Sequence, residues 1–275
     1  MALGVALGRR LSAADQPAAP GNTRALKASR SPLNPQFPLS IAQARKELRR
    51  MKVEPALPVR PVVVLSGYHS PHAQAEHLRW VLQRHTHADA TLVAVSYTTR
   101  TKMAQIIADA AASITKRFGA GAEVDLVCIS MGGLIARAIC TPGALPSAAG
   151  EIPTRTPINA QRVFTLASPH AGALLADKIA PNAAARDMKR ASTFLTALDL
   201  AQPAAKYELV CYSRLRDGWV GAQRSAPPGH GVVWTSGAVW GSHFTVTWDP
   251  RIIADLCRRV RGEAPLGAPS TPPRN

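Results

Sequence analysis

Cys128-Ile129-Ser130-Met131-Gly132-Gly133 is the stretch that decides how this sequence folds. It follows the apolar run Val124-Asp125-Leu126-Val127-Cys128, which has the character of a buried strand. It precedes residues 133–140, which have the character of a helix. A serine between strand and helix, with small residues two before and two after it, fits a sharp turn that presents its hydroxyl. The small residues here are Cys128 and Gly132. Glycine is usual at the first position, and cysteine is small enough for the turn. The same turn puts the N–H of Met131 at a helix N-terminus, where partial positive charge favours an oxyanion. The bare pattern recurs by chance in about one chain in five of this length. Its surroundings therefore carry the reading.

On either side of it, short apolar runs alternate with amphipathic stretches. Strands are expected at 61–66, 91–97, 124–128, 161–167, 207–212 and 232–234, and helices at 72–83, 103–118, 133–140 and 251–260. Near-continuous Val, Ile and Leu strands separated by helices predict an α/β fold. Its sheet has about six strands, mostly parallel, with helices on both faces and a small lid or none. In such sheets ligands gather beyond the carboxyl ends of the strands.

Residues 1–38 are rich in Ala, Pro, Ser and Arg without apolar periodicity and are expected to be a disordered basic tail. A basic helix is expected from Ser40 to Met51, with Ile41, Ala44 and Leu48 on one face. The folded domain then spans 39–262, and the Pro-rich 263–275 forms a second disordered tail. No run of 18 apolar residues is present, so no transmembrane segment is expected. The apolar start, residues 1–8, is short and is followed rather than preceded by Arg9 and Arg10, unlike a signal peptide. Cys128, Cys140, Cys211 and Cys257 have neither metal-ligand nor disulfide-framework spacing and read as small core residues of a reduced, cytoplasmic protein. The net charge of +16 predicts weak association with anionic surfaces such as lipid headgroups. No helix-turn-helix, zinc-finger or RNA-binding signature accompanies it, so no specific nucleic-acid partner is expected.

A serine hydroxyl needs a base, and in this arrangement the order is serine, acid, histidine. Asp217 is the only acid between the fifth strand and the later histidines. Of those, His230 sits between two glycines ahead of the last strand. His243 follows that strand just before the closing helix, which is the place of a general base. The loop Ser66-Gly67-Tyr68-His69-Ser70 follows the first strand, and the Tyr68 N–H is the candidate second oxyanion donor. His69 and Trp219 are candidates for lining the substrate cleft. His69 and His72 are neighbours, but no carboxylate or cysteine joins them at ligand spacing, so no metal is assigned.

Together these residues resemble the lipase and esterase branch of the α/β-hydrolases, which includes bacterial triacylglycerol lipases and GPI inositol-deacylase-like proteins. The likeness rests on four stretches. They are Ser130-Met131-Gly132-Gly133-Leu134-Ile135-Ala136-Arg137, Thr165-Leu166-Ala167-Ser168-Pro169-His170-Ala171-Gly172, Asp187-Met188 with Ser192-Thr193-Phe194-Leu195, and Ser242-His243-Phe244 with Asp249-Pro250-Arg251. Cys128 in place of glycine, Ser66 in place of the usual histidine, and a short or missing lid insertion depart from it. The resemblance implies a serine hydrolase cleaving carboxylic esters through an acyl-enzyme on Ser130, with Asp217 and His243 completing a triad. It implies no cofactor and a small-molecule or lipid ester as substrate. A thioesterase or acyltransferase would use the same triad, and a non-catalytic binding protein could share the fold.

Overall fold

The computed structural model describes residues 33–70, 72–97, 100–143, 157–237 and 241–274. Most of the expected N-terminal tail, residues 1–32, lies outside the described residues.

Six strands form one sheet: β1 (Val62–Leu65), β2 (Leu92–Val95), β3 (Val124–Ile129), β4 (Ala160–Leu166), β5 (Glu208–Arg214) and β6 (Val233–Thr235). They lie in the order β2-β1-β3-β4-β5-β6, every pair parallel. All six fall within two residues of the expected positions. The intervening chain forms α1 (Ile41–Val53), α2 (His72–Gln83), α3 (Met103–Phe118), α4 (Gly132–Cys140), α5 (Leu174–Lys178), α6 (Ala183–Asp187), α7 (Thr193–Ala201), α8 (Ser242–Thr245) and α9 (Pro250–Val260).

The near-continuous apolar strands are explained by burial on both faces. Side chains alternate across a strand, so Val63, Leu65, Leu126 and Cys128 enter one core with residues of α3 and α4. Val62, Val64, Val127 and Ile129 enter the other with residues of α1, α2 and α9. Each such fully buried aliphatic side chain contributes about 1.5–3 kcal/mol relative to exposure. All four cysteines are buried, and burial pushes the Cys211 and Cys257 thiols up to about 12. They are packing residues rather than reactive ones.

Helix α1 begins with a capping box. Ser40 Oγ accepts the Gln43 N–H at 3.2 Å, and Gln43 Oε1 accepts the Ser40 N–H at 2.9 Å. Its inward face differs from expectation. Ala44 and Met51 are buried, whereas Ile41 in the first turn is exposed. Ion pairs fasten α1 to the end of the domain, with Arg258 Nη1 2.6 Å from Glu47 Oε1.

The C-terminal segment departs from the expected tail. The buried carboxylate of Asp255 in α9 accepts the Tyr212 hydroxyl at 2.6 Å, and its other oxygen accepts the Gly267 N–H at 3.1 Å. Ser270 bridges Val232 through two backbone hydrogen bonds of 2.9 Å, and Trp234 Nε1 donates to Ser270 Oγ. Gly267 lies against the ring of Phe37, which is buried together with Asn34. Residues 264–274 and 34–37 thus pack on the domain. The Pro- and Ala-rich composition of 264–274 gives no periodic signal because isolated hydrogen bonds and single side chains such as Phe37 and Leu266, not an apolar stripe, hold these segments. Among the described residues no helix is long and apolar enough to cross a membrane.

Candidate active site

The chain leaves β1 toward β2 on one side and places β3, β4, β5 and β6 on the other. The loops after β1 and β3 therefore diverge, and the crevice between them is the switch point of the sheet. Ser130 stands there, directly after β3, with φ of 51°. That left-handed conformation costs a non-glycine residue about 1–3 kcal/mol. It is held by the Ser130 N–H donating to Leu166 O at 2.8 Å and by the start of α4 at Gly132. A Cβ on Gly132 would lie 2.8 Å from Ser66 O and 2.9 Å from Leu65 O, so only glycine lets the turn sit against the end of β1. A Cβ on Gly133 would come within 2.3 Å of Ser168 Oγ. Cys128, between Leu65 and Thr165 in the neighbouring strands, is fully buried without disturbing the sheet.

The acid and the histidine arrive from the other side. Asp217 follows β5 and is fully buried. Its Oδ1 accepts the N–H groups of Trp219 and Val220, each at 2.9 Å, and its Oδ2 lies 3.0 Å from Nδ1 of His243 on α8. Nδ1 thereby carries the proton toward the carboxylate and Nε2 is left to accept one. The Trp219 ring stacks on His243 with centroids 5.4 Å apart and planes 10° from parallel, and the Phe244 ring meets the imidazole edge-on. His230 is exposed, with Nδ1 3.3 Å from Pro228 O, and does not line the cavity.

The loop after β1 is fixed by the buried Tyr97, whose hydroxyl donates to Ser66 O. Among the described residues neither the Tyr68 nor the Met131 N–H enters a backbone hydrogen bond. His69 has φ of 45°, and its Nε2 accepts from Asn182 Nδ2 at 3.3 Å, linking this loop to α6.

Ser130, His243, Tyr68, His69 and Trp219 line one cavity of about 650 Å³. Most of its remaining wall is apolar and comes from α5, α6 and their flanks, through Leu175, Ile179, Ala185 and Met188. Sequence reading missed these wall residues. Helices of five residues show no measurable periodicity, and the alanines among them look like any small-residue turn. Phe244 was also missed as a wall residue, although it adjoins His243. His170, from the Ser-Pro-His stretch, does not reach the cavity. It is fully buried with Nε2 3.1 Å from Thr165 Oγ1, and burial, aided by the charge of Arg137, holds it well below the usual histidine range and neutral. Among the described residues no three His, Cys, Asp or Glu side chains are grouped to hold a metal ion.

No family model matches the sequence, and no curated protein matches it. Solved structures do. The lipase BlEst2 of Bacillus licheniformis in its propeptide form is similar at 15% identity and a TM-score of 0.49, over 77% of this chain and 52% of that one. The phospholipase PlaB of Legionella pneumophila is similar at 10% identity and a TM-score of 0.46, over 60% of this chain and 45% of that one. The metagenomic carboxyl esterase MGS0156 is similar at 13% identity and a TM-score of 0.47, over 75% and 76%. The chain thus spans about half the length of the first two. Its own strand order, parallel sense and serine turn at the switch point give it an α/β-hydrolase-type fold.

Proposed function

We propose that this chain is a serine hydrolase of carboxylic esters. The observation that carries the reading is the 3.0 Å Asp217–His243 hydrogen bond at the wall of the cavity that also holds Ser130 on its strained turn. Nucleophile, base and orienting acid are the three parts that acyl transfer through serine requires.

In this reading His243 Nε2 takes the Ser130 hydroxyl proton as Oγ attacks the ester carbonyl carbon. The carbonyl π bond breaks and its oxygen becomes an oxyanion, which accepts hydrogen bonds from the N–H groups of Met131 and Tyr68. The tetrahedral intermediate then collapses. The bond to the alcohol oxygen breaks, and His243 returns its proton to that oxygen. Water, deprotonated in turn by His243, attacks the acyl-enzyme and releases the acid and the serine. Asp217 stays ionised and stabilises the imidazolium. The reaction uses no cofactor. The apolar wall favours an ester whose acyl or alcohol part is hydrophobic.

The test is labelling with a fluorophosphonate, which modifies activated serines. The wild type is expected to label, and Ser130→Ala and His243→Ala are not, with unchanged circular dichroism in both. Full labelling of Ser130→Ala would overturn the mechanism. Initial rates on p-nitrophenyl esters of increasing chain length then define the acyl preference.

A further inference from the structure

The rim of the cavity carries features that ester chemistry does not use. Trp80, Trp219, Phe244 and Trp248 are 45–62% exposed in a chain with only 5% aromatic residues. They form one stripe. The Trp219 ring meets Phe244 edge-on at 4.6 Å, and Phe244 and Trp248 lie four residues apart on the helical run 242–248. Trp248 stacks on His77 at 4.0 Å, His77 lies 5.9 Å from Trp80, and the Arg84 guanidinium covers Trp80 at 4.5 Å. Trp219 and Phe244 line the cavity, so the stripe starts at its mouth and continues along α2.

The α5–α6 side of the mouth has a different make-up. There the wall residues Ile179, Ala185 and Met188 are each adjacent in sequence to an exposed cation, respectively Lys178, Arg186 and Lys189. Ile179 itself is 64% exposed. The cations therefore sit on the outer surface of the segment whose inner surface is apolar.

We propose that this rim docks the protein on the surface of an anionic phospholipid bilayer. Indole and phenyl rings settle at the headgroup level, where an apolar body and a polar edge are both accommodated. Basic residues beside them are drawn to anionic lipid, and the whole chain, at +16, is attracted in the same sense. Exposed aromatics with cations can also stack nucleic-acid bases. The stripe, however, frames an apolar cavity and an exposed isoleucine, which match a hydrocarbon boundary rather than a phosphodiester track.

The experiment is co-sedimentation of the full chain with phosphatidylcholine vesicles, with and without phosphatidylglycerol, at low and high salt. Tryptophan emission is followed in parallel. Binding to the anionic vesicles only, weakened by salt and accompanied by a blue shift, is expected. Lys178→Gln/Lys189→Gln lowers the affinity about thirtyfold. Trp80→Ala/Trp248→Ala reduces the blue shift and weakens binding. Both variants keep wild-type rates on a soluble short-chain ester, which reports that they are folded. Ser130→Ala binds vesicles as the wild type does, so this proposal and the ester-hydrolase reading fail separately. Equal binding to both vesicle types overturns the proposal. So does wild-type binding by both double variants, which puts attachment elsewhere in the basic chain. Capture of duplex DNA through the same lysines without vesicle binding overturns it in favour of nucleic acid.

Discussion

Oδ2 of Asp217 lies 3.0 Å from Nδ1 of His243, and the two residues follow adjacent parallel strands, Asp217 in the loop after β5 and His243 on α8 after β6. The carboxylate is itself fixed, because its other oxygen accepts the backbone N–H groups of Trp219 and Val220. The imidazole cannot turn without breaking a charge-assisted hydrogen bond inside a buried pocket. The relationship therefore sets both the tautomer and the direction of His243.

Replacing Asp217 by asparagine tests this directly. The amide oxygen can still accept from Trp219 and Val220, so the loop is expected to keep its shape. The amide N–H group, however, would face Nδ1 and favour the wrong imidazole tautomer. A fall in kcat of about 10⁴ with little change in KM is expected. Steady-state kinetics on a p-nitrophenyl ester measure it, and an Asp217→Asn variant within tenfold of wild type would show that His243 is not oriented by this carboxylate.

Arg214, at the end of β5, holds the two loops together. Its Nη1 donates to Thr245 Oγ1, two residues beyond His243, and its Nη2 donates to Ser236 O at 3.4 Å. Its Nε lies 3.2 Å from the Asp249 carboxylate, which also pairs with Arg251 at 2.6 Å. Arg214→Gln is expected to lower kcat about tenfold with KM unchanged, because the histidine-bearing helix loses its tie to the acid-bearing strand. Arg214→Lys restores the charge but not the fork and is expected to recover part of the rate. Equal rates in all three proteins would confine Arg214 to a structural role.

Much of this was legible in the sequence, for identifiable reasons. The strands carry runs such as Val62-Val63-Val64-Leu65, whose continuous apolar character signals burial on both faces. Ser130, Asp217 and His243 could be ordered along the chain because each falls in a loop after an apolar run. The cavity wall was not legible, since α5 and α6 are shorter than the span over which a helical period shows. Arg214 was hidden too. Its partners, Ser236, Thr245 and Asp249, lie 22 to 35 residues away, and no spacing rule links a strand end to the loop of the next strand.

Gly132→Ala tests the elbow. The added Cβ would lie within 2.9 Å of two backbone oxygens at the end of β1, neither of which can rotate away. Overpacking of this kind costs about 1–3 kcal/mol and would displace Ser130 or the Ser66–Ser70 loop. A lowered unfolding midpoint is expected, together with loss of fluorophosphonate labelling. Gly121→Ala, where nothing lies within 4 Å of the new Cβ, is the control, and it is expected to keep labelling in full despite its positive φ.

Deleting residues 264–275 tests the packing of the C-terminal segment. The deletion removes the Leu266 and Gly267 N–H donors from the buried Asp255 carboxylate, uncovers Phe37, and leaves Trp234 Nε1 without Ser270 Oγ. Two hydrogen bonds to a charged group and one buried phenyl ring together make a loss of about 5 kcal/mol. For a domain of this size that corresponds to a fall in Tm of roughly 10–20 °C. An unchanged Tm would show that the segment contributes no net stability.

Stability is also expected to depend on pH. Burial, with the Arg137 charge nearby, holds folded His170 well below its ordinary value, and burial lowers His85 in the same direction. In the unfolded chain both return to about 6.5. As pH falls through 6.5, the unfolded state gains protons that folded His170 does not take, so stability falls with falling pH. The contribution is complete above pH 6.5 and is lost progressively down to the folded value. At pH 5.5 one histidine that remains neutral accounts for about 1.4 kcal/mol, or a Tm lower by roughly 3–6 °C than at pH 7.5. Asp249 acts in a separate, lower window. Burial alone would raise its carboxyl, but the Arg251 hydrogen bond and charge, with Thr235 and Arg214, bring it below the ordinary range, so its contribution is lost only beneath about pH 4. Thermal unfolding of the wild type and His170→Asn at pH 7.5 and 5.5 isolates the histidine window, because the Asp249 window lies below both pH values. The variant is expected to be less stable at pH 7.5 but to lose less on acidification. An equal drop in both proteins would assign the acid sensitivity to His85 or another group and not to His170.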